Sequence, residues 1–202
     1  MTIVKTCGKL YWAGEYAILE PGQLALIKAI PIYMTAEIES SEVYRLYSDM
    51  FTYSVDMRPD SSYVLIQETV ALVEEYLTSR GVDLQPFSID IRGKMEREGK
   101  KFGLGSSGSV VVLVIKGMLA FYNRPAERDL LFKLASAVLL KRGDNGSMGD
   151  IACIVSEDLV LYQSFDREKV AQWLEKEDLP TVLARDWGFS IASVEPVLTF
   201  DF

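Results

Sequence analysis

Histidine is absent from this chain, and with it go the Ser-His-Asp triad, the Cys-His pair and every His-ligated zinc site. Cysteine is nearly absent as well. Cys7 and Cys153 are too few for a thiolate zinc site, and each lies in an apolar stretch where a reduced, buried thiol is expected. Positive charge is in deficit, with 21 lysines and arginines against 29 aspartates and glutamates, a net charge of -8 at pH 7. That balance excludes a broad basic face for nucleic acid, so any phosphate site must be local. No uninterrupted apolar run reaches membrane-spanning length, and Met1 to Gly8 has no apolar core of a secretory signal. A cytoplasmic protein with neither membrane nor nucleic-acid partners is expected. What remains is ample for one folded domain: 202 residues, 49% of them hydrophobic and 25% charged.

The first part of the chain is sheet-forming. Residues 2 to 20 are rich in β-formers and are broken by Gly8 and Gly14, which predicts a β-hairpin or a backbone held close to a ligand. Pro21-Gly22 makes a turn. Ile32, Met34, Ala36 and Ile38 then alternate with polar residues, and Tyr44 to Ser48 and Phe51 to Asp56 look like further short strands. From Ser61 to Arg80 the apolar spacing becomes helical, with Gly81 as the stop. Phe87, Ile89 and Ile91 mark another strand, which leads through the charged link GKMEREGKK into FGLGSSGS. The long apolar run that follows to Tyr122 predicts a buried helix. Pro125 opens a second helix carried by Leu130, Leu131, Leu134, Val138 and Leu139. Ile151 to Val155 and Leu159 to Tyr162 read as a hairpin turning at Glu157-Asp158. Asp166 caps a short helix stopped before Pro180, and EPVLTFDF reads as the beginning of a strand.

Chemistry concentrates in the loops. Lys100 to Ser109 holds three glycines, three serines and two lysines just before a helix, a composition that brings backbone N–H groups and a positive helix end to an anion, most often a phosphate. Gly103, Gly105 and Gly108 also spell GxGxxG. That fingerprint belongs directly after a buried strand, whereas KMEREGKKF precedes it here, and a Rossmann dehydrogenase is disfavoured. No GKS or GKT follows the glycines, so a Walker loop is missing too. A plain turn capping a buried helix is the simple alternative. The second loop, GDNGSMGD after Lys141 and Arg142, is either a polar surface turn or part of the same site. Three glycine-punctuated loops, each with charged or hydroxyl groups, suit phosphoryl transfer.

In CGKLYWAGEYAIL, KFGLGSSGSVVV and NGSMGDIA, taken in that order, the sequence resembles the GHMP kinases, and within them the bacterial phosphomevalonate kinases. The resemblance implies an α+β amino-terminal domain of the ribosomal-S5-domain-2-like kind, a mixed sheet packed against helices, extending over residues 1–202. It also implies a carboxy-terminal lobe that this chain lacks. ATP phosphates are expected on Gly103, Leu104, Gly105, Ser106, Ser107, Gly108 and Ser109, with Ser107 on Mg²⁺. Lys9 and Asp150 match the catalytic lysine and aspartate. Glu15, Tyr16, Lys101, Arg142 and Ser147 fall at substrate-binding positions. The helix segment ASAVLLKR lacks the acid that mevalonate kinases use for the metal, which leaves Asp144 and Asp150 as candidates.

The implied reaction is ATP- and Mg-dependent transfer to (R)-5-phosphomevalonate, a step of isoprenoid biosynthesis. Its partners are then ATP and a small phosphorylated substrate; nothing in the chain indicates an oligomeric state. A phosphate acceptor with a second pKa of about 6 is already largely ionised at neutral pH. Charge repulsion is then the main barrier, cations such as Lys9, Lys101 and Arg142 dominate, and Asp150 holds Lys9 or the metal instead of removing a proton. Transfer to mevalonate or homoserine, and a nucleotide-binding fragment without turnover, are the competing expectations.

Overall fold

The computed structural model describes residues 1–93, 96–97, 100–101 and 106–195, with the backbone path alone at 96, 97, 100, 101 and 106. The chain opens with β1 (Thr2–Ala13), a 3-10 turn at Ala17–Leu19 and the long β2 (Leu24–Ser40), an antiparallel hairpin. Its register slips between Cys7 and Gly8, where Gly8 pairs with Ile30 and Cys7 with Tyr33, leaving Pro31 and Ile32 unpaired. Proline has no N–H for a ladder, so it sits at the irregularity. Inward-facing residues accordingly change parity along β2, from Ala25 and Ile27 before it to Met34, Ala36 and Ile38 after it.

The strands β3 (Arg45–Ser48) and β4 (Ser54–Val55) come next, followed by α1 (Val64–Ser79) and β5 (Phe87–Arg92). The charged link carries a small ladder of β6 (Glu96–Arg97) with β7 (Lys100–Lys101). Then come α2 (Ser106–Phe121), α3 (Arg128–Lys141), α4 (Gly149–Ser156), β8 (Leu159–Gln163), α5 (Arg167–Lys176), α6 (Leu179–Ala184) and β9 (Ser190–Ser193). The main sheet runs β4-β3-β5-β2-β8-β9. β1 lies along one edge of β2, while β8 and β5 share the other. Among the described residues only β3 with β5 is parallel. The expected α+β class, a mixed sheet against helices, is what forms.

The helices cover one face of this sheet. Apart from Lys116, which pairs with Glu157, α2 is largely apolar, with Val111 through Ile115, Met118 and Leu119 fully buried, which suits a helix enclosed on most sides. It packs on β1 and β2 beneath α1, α3 and α4. A Cβ added at Gly117 would reach only ordinary contact with Val4, Ile38 and Ile89. On the other face of β2, Thr35, Glu37 and Glu39 remain exposed.

One expectation is corrected here. Ile151 to Val155 is not a strand: residues 149–156 form α4, entered through Met148 and left through Glu157, both in left-handed conformation. Ile151, Ala152, Cys153 and Ile154 are all buried, among α2, α3, β1, β2 and β8, and so short an apolar run has no period that tells strand from helix. The helix capped by Asp166 forms and stops before Pro180, as expected. α5 stops at Lys176, and Pro180 lies in the first turn of α6, which Asp178 caps through Thr181 N–H at 2.9 Å. The strand expected in EPVLTFDF falls largely outside the described residues; β9 precedes it and pairs with β8.

Candidate functional site

Two helix beginnings meet over β1. The first turn of α2 is moored to β1 by a reciprocal pair of buried hydroxyls. Thr6 Oγ1 donates to the Ser109 carbonyl at 3.2 Å, and Ser109 Oγ donates to the Cys7 carbonyl at 3.0 Å. Beyond the bulge, Leu10 points to solvent, so Lys9 and Tyr11 share the helix-facing side of the strand. Lys9 Nζ lies 4.8 Å from the centre of the Tyr11 ring.

The start of α4 carries Asp150. One oxygen, Oδ1, accepts from Ile151 N–H at 2.9 Å. The other lies against Gly108, where an added Cβ would come within 2.8 Å of Oδ2 and 3.0 Å of Ile151 Cδ1. Glycine at 108 is thus what lets a carboxylate reach the first turn of α2. Burial pushes the Asp150 carboxyl above the ordinary range; the Ile151 N–H and the charge of Lys9 pull against it, and Asp144 adds to the rise. Lys9 and Asp150, expected together from sequence, are in electrostatic contact.

The loop ahead of α4 is fixed from β1 and β8. Tyr11 Oη shares a hydrogen bond of 3.1 Å with Ser147 Oγ, which accepts from Gly149 N–H at 3.2 Å. Tyr162 Oη donates to the Ser147 carbonyl at 2.9 Å. Gly149 has no room for a side chain, because a Cβ there would collide with Tyr11 Oη and lie 2.9 Å from Ile27 Cδ1. Burial pushes the Tyr11 phenol up to about 12; the Ser147 bond opposes this, and the negative charges of Asp150 and Glu15 reinforce it. At neutral pH Tyr11 therefore keeps its proton. Lys9, Tyr11, Ser147 and Asp150 form one neighbourhood.

Other expected residues fall elsewhere. Glu15 and Tyr16 sit on an exposed turn after Gly14, whose φ of 82° and close approach to the Leu24–Ala25 backbone leave no place for a Cβ. Ser107 is exposed and lines a cavity of about 100 Å³ with Ser48, Met50, Phe51, Ser62 and Leu65. Arg142 is not gathered with the Asp150 group. Its guanidinium pairs with Glu68 of α1, beside a groove that also holds the Lys141–Glu75 pair at 3.6 Å. Gly103, Leu104 and Gly105 lie outside the described residues, as do the side chains of Lys101 and Ser106. Cys7 and Cys153 are free buried thiols, and burial pushes Cys7 up to about 11. Among the described residues no group of three or more acidic, cysteine or histidine side chains could hold a metal.

Tyr11 and Tyr162 were not among the expected site residues. Tyr11 is two residues after Lys9 on the same strand face, a signal the sequence does hold. Tyr162 has none, because its target is a main-chain carbonyl 15 residues away.

Residues 64–158, from α1 through α4, match the family of GHMP kinases, N terminal domain. Ninety-eight per cent of the chain superposes on phosphomevalonate kinase of Streptococcus pneumoniae, solved in complex with phosphomevalonate and AMPPNP, with a TM-score of 0.96 and 73% identity. The chain carries a GHMP kinase N-terminal domain. As a GHMP kinase domain it is also 27% identical to phosphomevalonate kinase of Streptomyces sp. (strain CL190), over 94% of its length. Its fold recurs in Methanococcus jannaschii mevalonate kinase, with a TM-score of 0.65 and 22% identity, over 80% of this chain and 53% of that one. The chain spans 60% of the pneumococcal protein and 57% of the Streptomyces one. Among the described residues no helix is long and apolar enough to cross a membrane.

Proposed function

We propose that this chain supplies the amino-terminal domain, residues 1–202, of an ATP- and Mg-dependent kinase that phosphorylates (R)-5-phosphomevalonate to 5-diphosphomevalonate. One observation carries the proposal: Asp150 meets the first turn of α2 at Gly108, on the strand face that bears Lys9 and Tyr11. The donor triphosphate belongs at the start of α2, where free backbone N–H groups and the helix dipole favour anions. The acceptor then approaches from the side of Glu15, Tyr16 and Ser147. The relative that holds both phosphomevalonate and AMPPNP supports this pairing of ligands.

Mg²⁺ usually keeps several waters and takes one or two protein groups plus substrate phosphates, so Asp150 and Ser107 are a sufficient donor set. Asp150 Oδ1 is taken by Ile151 N–H, and Oδ2, beside Gly108 at the start of α2, is the oxygen that would take a further cation. Bound there, the metal would neutralise phosphate charge. Lys9 keeps Asp150 oriented and adds positive charge where two anions must meet. The acceptor oxygen needs no general base, having ionised already. Lys101 is proposed to contribute on the acceptor side as well.

The test is ADP release by the full-length protein with ATP and Mg²⁺, offered phosphomevalonate, mevalonate and homoserine in turn. Turnover dependent on phosphomevalonate is expected. Turnover with only mevalonate or homoserine would overturn the proposed acceptor, and titration of this chain with AMPPNP separates a retained donor site from an inert fold.

A further inference from the structure

Arg167, the first residue of α5, lies outside every segment considered so far. Its guanidinium donates three hydrogen bonds, all to main-chain carbonyls: to Leu19 at 2.6 Å, Gly146 at 2.7 Å and Asn145 at 3.1 Å. Among the described residues it has no carboxylate at ion-pair distance. Leu19 ends the 3-10 turn that follows Glu15 and Tyr16, while Asn145 and Gly146 lead into Ser147. One planar fork therefore ties together two loops that are 126 residues or more apart in sequence.

The base of this fork is rigid. Ser164 Oγ donates to the Glu20 carbonyl at 2.7 Å, and the Ser164 backbone pairs with Gly22 and Gln23. Phe165 is buried against Trp187 and Phe132, with ring centres at 5.3 and 5.9 Å. Asp166 caps α5 through Lys169 N–H at 3.0 Å. Tyr162 and Arg167, five residues apart, hold three consecutive carbonyls, those of Asn145, Gly146 and Ser147. Charged donors on carbonyls make strong hydrogen bonds, and the fork adds direction that an ammonium lacks.

We propose that Arg167 is a positioning residue: it sets the spacing between the turn bearing Glu15 and Tyr16 and the loop bearing Ser147, and so shapes the acceptor side of the site. This rests on the acceptor role proposed above for those two segments. Arg167 touches neither reactant. Its removal lets the two loops drift apart while the start of α2, moored separately to β1, stays in place.

Steady-state kinetics of the full-length protein test this, with phosphomevalonate and ATP varied in turn for wild type, Arg167→Ala and Arg167→Lys. Arg167→Ala should raise the acceptor KM and lower kcat/KM by roughly tenfold to a hundredfold, the scale of an ångström-sized misplacement, with the ATP KM nearly unchanged. Arg167→Lys should recover part of the loss. An unchanged acceptor KM, or acceptor and ATP KM rising together, overturns the proposal. A second measurement is independent of substrate: amide hydrogen exchange in Arg167→Ala should quicken both at 16–20 and at 144–149. A change confined to one segment also overturns it. Wild-type protein inactive on phosphomevalonate would instead refute the proposed acceptor, and the exchange result would then decide the role of Arg167.

Discussion

The beginnings of α2 and α4 meet at one point yet are held in place by different means. α2 is moored by short hydroxyls within the core, Thr6 bonded to the Ser109 carbonyl and Ser109 to the Cys7 carbonyl. α4 is reached through a loop whose shape depends on long side chains from elsewhere, Tyr11, Tyr162 and Arg167. A donor site has to bind the same phosphates every time, and backbone N–H groups on a fixed helix suffice. On the proposed reading the α4 loop faces the acceptor, which has to be selected as one small molecule, and side chains can adjust their reach without rebuilding the core.

Breaking the meeting point should have the largest effect. Gly108→Val drives a side chain into Asp150 Oδ2 and Ile151, so activity of the full-length protein should fall by about a hundredfold or more, with overpacking costing about 1–3 kcal/mol in urea unfolding. Normal activity would show that Asp150 has no need of its place beside α2. The two moorings can then be set against each other. Ser109→Ala should cost about 1 kcal/mol of stability and weaken ATP binding, whereas Tyr11→Phe should cost about as much but raise the acceptor KM. If both variants shifted the same KM, the division into donor and acceptor sides would fail.

A smaller effect is expected from Asp150→Asn in ligand-free protein, and its sign is informative. The folded pKa lies above the unfolded value of about 3.9, so the associated stability is complete below that pH and is lost as pH rises through the folded pKa. Wild type should lose stability relative to Asp150→Asn over that window and be the less stable of the two at pH 7, as read by thermal melts across pH. The smallest change should follow Arg142→Ala. Its pair with Glu68 is partly exposed, such pairs contribute about 0–1 kcal/mol, and the acceptor KM should stay within about twofold. A large rise would return Arg142 to the acceptor site.

Much of the scaffold was legible because its signals are local. The alternation in β2, the helical spacing in α1 and α3, and the largely apolar α2 each record how an element is buried. Lys9 and Asp150 were legible through the resemblance of their loops to a known family. α4 was not, since an eight-residue helix buried on all sides shows no period, and its left-handed ends at Met148 and Glu157 carry no glycine to mark them. Arg142 looked like a phosphate ligand by charge and position, and Glu68, 74 residues away, engages it.

From sequence alone, then, came the kind of chemistry and its places along the chain. Lacking histidine and basic excess, and carrying glycine-serine loops ahead of helices, the chain has few options other than phosphate held by backbone and hydroxyls. Tertiary structure decided which side chains face one another across those loops. Gly108 against Asp150, Tyr11 on Ser147, and Arg167 on Leu19 and Gly146 are contacts over tens of residues or more. Their partners are often main-chain atoms that every sequence possesses, so no residue type announces them.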